Sequence, residues 1–69
     1  MENIKISTEY IKLDQFLKWC GIADSGSEAK EYIAAGMVKV NGETELRRGK
    51  KLRDGDIIEL KGKEYKIYM

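Results

Sequence analysis

The chain has 69 residues, a net charge of +1, no His and one Cys. At this length one domain spanning residues 1 to 69 is expected, burying only about 60% of its unfolded surface, with no room for a catalytic domain beside it. A single cysteine excludes an internal disulfide, and without histidine no ligand set for a metal or metal cofactor forms, so a reducing, cytoplasmic setting is expected.

The opening segment, Met1 to Tyr10, mixes acids and bases with no long apolar run, so neither a signal peptide nor a membrane span is expected. Asn3-Ile4-Lys5-Ile6 alternates polar and apolar, which predicts a short strand added to the edge of a later sheet. Ser7 and Thr8 are candidate helix caps ahead of Tyr10 and Ile11. Leu13, Phe16, Leu17 and Cys20 recur at the spacing of one helical face, leaving Lys12, Gln15, Lys18 and Trp19 outward, and Gly21 ends that helix. An aromatic on this outward line can stack on a nucleobase. Aromatic side chains dominate small cores, however, so we expect Trp19 to pack against another element.

Gly21 to Asp24 is so short a connection that the next helix must fold back on the first, making a helix-turn-helix-like pair. Ser25 can accept the amide of Glu28 while the Glu28 side chain reaches back to the amide of Ser25, a capping box. The same turn, with Ser25, Gly26 and Ser27 at the positive end of a helix dipole, is equally a seat for a phosphate. Ala29, Tyr32 and Ile33 form the buried stripe, Gly36 ends the helix, and Lys30 faces outward beside Glu31, as a solvated charge or as a contact.

Met37 to Val40 is a strand with Val38 and Val40 inward and Lys39 on the opposite side. Asn41-Gly42 marks the turn. Strict two-residue pairing would set Val40 against Glu43 and Val38 against Glu45, so we expect a three-residue loop that pairs Val40 with Thr44 and Val38 with Leu46. Arg47-Arg48-Gly49-Lys50-Lys51-Leu52-Arg53 puts five positive charges into seven residues with no acid among them and no hydrophobic period, and predicts a surface loop. Asp54-Gly55 is a turn, Asp56 to Leu60 a strand, Lys61 to Lys63 a tight turn and Glu64 to Met69 a closing strand. Two short helices packed on a small, mostly antiparallel sheet make an α+β fold.

Lys12-Leu13-Asp14, Leu17, Gly21, Ser25, Ala29, Gly36, Val38, Val40-Asn41-Gly42 and Gly55-Asp56 occur in the order of a known pattern. The chain resembles the RNA-binding domain named after small-subunit ribosomal protein S-four, the alpha-L motif, and within it the small stand-alone bacterial members. The resemblance covers residues 12 to 60, about two thirds of the chain, and departs at Gly26, where the family commonly carries Arg. It implies a non-catalytic RNA-binding protein. The basic residue before Leu-Asp, the start of the second helix and the strand leading into Asn41 would face RNA, with ribosomal RNA or a ribosomal subunit as partner.

The residues themselves show no positioned nucleophile, base or metal set. The charge distribution instead allows a positive face despite a near-neutral total. Its members are Lys12, Gln15 and Lys18 on the first helix, Ser25, Ser27 and Lys30 on the second, Lys39 and Asn41, and Arg47, Arg48, Lys50, Lys51 and Arg53 in the loop. Such a face would hold structured RNA by its phosphates and shape, in a protein expected to act as a monomer away from membranes. The alternative is an adapter that docks an acidic protein partner through the same loop.

Overall fold

A computed structural model describes residues 1–69. Its strands and helices are β1 (Glu2–Lys5), β2 (Ile11–Lys12), α1 (Leu13–Trp19), α2 (Gly26–Ala34), β3 (Val38–Val40), β4 (Glu43–Thr44), β5 (Lys51–Leu52), β6 (Ile57–Leu60) and β7 (Lys63–Tyr68). The main sheet runs β1-β7-β6-β3-β4, antiparallel except for the parallel edge pair β1 and β7. A separate two-stranded sheet joins β2 to β5. The α+β class with two helices on a mostly antiparallel sheet is the architecture observed.

Alternation decides the faces of the main sheet. Val38, Val40, Ile58, Leu60, Tyr65 and Ile67 point to the buried side, where Leu13, Phe16 and Leu17 of α1 and Ala29 and Ile33 of α2 meet them. Phe16 and Tyr65 meet edge to face, ring centroids 6.3 Å apart. All fourteen buried residues are apolar, and no buried side-chain nitrogen or oxygen lacks a partner. The core thus rests on area and packing alone.

Each helix stop falls at a left-handed glycine, Gly21 at φ 77° and Gly36 at φ 75°. Ser25 caps α2 by accepting the Glu28 amide at 3.2 Å. The Glu28 carboxylate reaches back one residue further than expected, to the amide of Asp24 rather than Ser25. Tyr32 is half-buried, with its hydroxyl donating to Glu28 and accepting from Lys61 Nζ.

Four further expectations are corrected. Ser7 and Thr8 cap nothing: Thr8 donates to the carbonyl of Tyr10, and α1 starts after Lys12 without a side-chain cap. Trp19 does not enter the core but stands 68% exposed. The turn after β3 has two residues, Asn41 at φ 53° and Gly42 at φ 85°, pairing Val40 with Glu43. Val38 and Val40 need no apolar partner on β4, because β6 supplies Ile58 and Leu60 on their other side. Twin positive φ values are what an Asn-Gly pair tolerates, so local turn chemistry outweighs the burial of Leu46, which stays 63% exposed.

The fourth correction concerns the basic segment, which is not wholly loop. Leu52 is fully buried and Lys51–Leu52 pairs with Ile11–Lys12. Leu52 thereby anchors the charged stretch to the core. Leu52→Ala should cost about 2–5 kcal/mol of stability by leaving a cavity. Urea unfolding followed by circular dichroism reads that loss directly.

Candidate nucleic-acid interface

The start of α1 fixes where the charges lie. A helix begins with amides that have no partner inside it. Here Lys12 offers no side-chain cap, and carbonyls of the basic segment serve instead: Leu13 N–H donates to Lys50 O at 2.9 Å and Asp14 N–H to Arg48 O at 3.1 Å. The Asp14 carboxylate takes the next amide, that of Gln15, at 2.8 Å. With its carbonyls turned inward to the helix, the segment presents its side chains to solvent.

The β2–β5 pair extends this arrangement. Ile11 and Leu52 turn to the core, which leaves Tyr10, Lys12, Lys51 and Arg53 on the outer side. Lys12 stands directly opposite Lys51, a like-charge pairing that an anion would relieve. Lys51 Nζ lies 4.9 Å and the Arg53 guanidinium 5.6 Å from the centre of the Tyr10 ring. Sequence reasoning missed Tyr10. The usable signal was its place two residues before Lys12, on the same side of an extended chain.

Two concavities lie along the basic segment. One, of about 550 Å³, is walled by Arg47, Gly49, Lys50, Lys51 and Arg53 with no apolar side chain. The second, of about 510 Å³, runs from the loop at Leu46 to Gly49 onto Lys30, Ile33 and Ala34 of α2. Lys12, Lys30, Arg47, Arg48, Lys50, Lys51 and Arg53 therefore share one connected surface. Gln15 and Lys18 line a neighbouring groove that also includes Tyr10.

The remaining candidates stand elsewhere or are engaged. Ser25 is held as the α2 cap, with Ser27 exposed beside it. Lys39 projects from the opposite face of the sheet, between Thr44 and Glu59. The Asn41 side chain donates to Asp56 at 3.1 Å and accepts the Ile57 amide at 3.0 Å, tying the turn to β6. Gly26, where the resemblance expects Arg, has nothing within 4 Å of a Cβ placed there. Packing does not require glycine at this position.

Two of the five loop cations have acids, contrary to the uncompensated run in the sequence. Arg47 grips Glu45 through Nε at 3.0 Å and a second nitrogen at 3.3 Å, and Arg53 lies 3.6 Å from Glu9. Arg48, Lys50 and Lys51 have no carboxylate within ion-pair distance. The Arg47 hydrogen bond holds the Glu45 carboxyl below its ordinary pKa. A depressed folded-state pKa means that the pair contributes stability above the unfolded value and loses it as pH falls through the folded one. In a carbon-detected NMR titration Glu45 should titrate below the ordinary range of a glutamate, and Arg47→Ala should return it to that range.

The sequence model of the S4 domain matches residues 4–68. A Bacillus subtilis protein named "Probable ribosome maturation protein RlbA" is 46% identical over 59 residues, 86% of this chain and 83% of that protein. YbcJ of E. coli is similar in structure, with a TM-score of 0.76 and 30% identity over 100% of this chain and 89% of that one. Its solution structure is described as revealing an alpha-L motif involved in RNA binding. The 30S ribosomal protein S4e of Thermoplasma acidophilum is similar to 87% of this chain, at 26% identity and a TM-score of 0.66, over 32% of its own length.

Proposed function

The chain belongs to the S4 domain family, and we propose on that footing that it is a non-catalytic RNA-binding protein whose ligand is structured ribosomal RNA. The observation that carries this reading is the concavity walled only by Arg47, Gly49, Lys50, Lys51 and Arg53, continuous with Lys12 and reaching Lys30 through the loop. Side chains of one sign around a dish-shaped surface concentrate the field on whatever enters it. Phosphate oxygens match that field, and each phosphate neutralised releases counterions.

The roles follow from what each group touches. Arg48, Lys50 and Lys51, unpaired by acids, meet phosphates first. Arg47 and Arg53 exchange a carboxylate for a phosphate and so contribute less. Lys12 extends the contact across the β2–β5 pair, and Lys30 extends it onto α2. Lys39 lies on the far face of the sheet, away from the contact, and Asn41, engaged with Asp56 and Ile57, serves the fold. Recognition is by the spacing of phosphates along an A-form helix, whose deep groove side chains do not read.

The one thiol of the chain is engaged. Cys20 donates its thiol to Phe16 O at 3.0 Å, and burial pushes its pKa up, which makes it a poor nucleophile. No helix is long and apolar enough to cross a membrane. The ribosome maturation name of the Bacillus relative points to ribosomal RNA as the ligand and the cytoplasm as the place. The chain acts there as a monomeric RNA-binding unit.

Binding to a ribosomal RNA fragment, followed by fluorescence anisotropy at increasing salt, tests this reading. Replacing Arg48, Lys50 and Lys51 together with Ala should lower the slope of log affinity against log salt by about two to three, at about 0.7–0.9 per phosphate. Arg47→Ala should change it less than Arg48→Ala. Unchanged RNA affinity in the triple variant would overturn the proposal and turn the surface toward an acidic protein partner. Gly26→Arg, one helical turn before Lys30, should tighten binding and raise the slope by about one.

A further inference from the structure

Beside the cationic concavity lies a groove of different character. It has a volume of about 640 Å³ and is bounded by Ile6 and the segment from Ser7 to Ile11 on one side and by Gln15, Lys18 and Trp19 of α1 on the other. This falls in the roughly 300–1,000 Å³ range of small-ligand sites. Most of its wall is apolar, yet it is open to solvent. Trp19, 68% exposed, has no core contact to account for its position.

Tyr10 belongs to two neighbourhoods at once. It lines this groove and carries Lys51 and Arg53 against its ring. The phosphate-binding surface and the aromatic groove are therefore adjacent, joined through one side chain. Lys18 adds a cation to the groove wall. Its one acid, Glu9, lies 3.6 Å from Arg53, which offsets its charge.

We propose that this groove takes one unpaired nucleotide of the bound RNA, its base stacked on Trp19 and its phosphate drawn toward Lys51 and Arg53 beside Tyr10. The inference rests on the RNA-binding reading and deepens it. An aromatic platform next to a cationic track is the arrangement by which a splayed base is held without a sequence code, since every base has a face to stack. A rigid duplex keeps its bases stacked on each other and presents none to Trp19. The protein accordingly selects RNA in which an unpaired base adjoins a helix, at a bulge or a loop.

Trp19 is the only tryptophan, so its fluorescence reports this groove alone. Two probes decide the question: a hairpin RNA closed by a loop of unpaired adenines, and the same stem as a blunt duplex. Both should show salt-dependent binding by anisotropy, but only the hairpin should quench Trp19. Trp19→Ala should weaken hairpin binding roughly 5- to 150-fold, with duplex affinity and the salt slope unchanged, and Trp19→Phe should restore most of the loss. Equal quenching by both RNAs, none by the saturated hairpin, or equal loss of affinity for both in Trp19→Ala overturns the groove assignment while leaving the phosphate surface intact. Failure of both RNAs to bind overturns the RNA-binding reading itself, and the groove assignment with it.

Discussion

Two backbone hydrogen bonds hold the cationic surface in place, those from the amides of Leu13 and Asp14 to the carbonyls of Lys50 and Arg48. The opening turn of a helix leaves donors that must find acceptors. Here a segment more than thirty residues away supplies them, as a side-chain cap supplies them elsewhere. The consequence is reciprocal: α1 gains a defined start, and a charged stretch that would otherwise sample many conformations is fixed against it. Leu52, inserted in the core, prevents the stretch from lifting away. Self-repulsion among Arg48, Lys50 and Lys51 is thus held within a rigid frame rather than relieved by motion.

Much of the fold was legible because its signals are local. The apolar spacing of Leu13, Phe16 and Leu17, the cap at Ser25 and the glycines at positions 21 and 36 each dictate structure over a few residues. The S4 domain resemblance, carried by ordered motifs, agrees with the match over residues 4–68. What escaped was non-local. A strand of two residues such as Lys51–Leu52 has no period to detect, and its existence depends on a partner forty residues earlier. The turn at Asn41-Gly42 was misjudged because burial was required of β4, when β6 already supplied it from the other side.

The candidate site was legible in composition but not in arrangement. Alternation along β3 put Lys39 opposite Val38 and Val40, yet only the sheet shows that this face is remote from the helices. The acids that temper the loop, Glu45 and Glu9, come from outside the basic run, so the segment alone overstated its charge. For Trp19 the general preference of aromatics for small cores gave way to its position: Leu13, Phe16 and Leu17 already occupy the inward face of α1. Helical geometry left the indole no inward path.

The interior, built from fourteen apolar residues without one polar anchor, has an evolutionary corollary. No buried hydrogen-bond network fixes particular side chains there, and aliphatic residues of similar volume substitute for one another at small cost. Such an interior can drift through many sequences while the backbone stays put. Divergent proteins can then share this scaffold, as the 26% identity and TM-score of 0.66 with the Thermoplasma ribosomal protein illustrate.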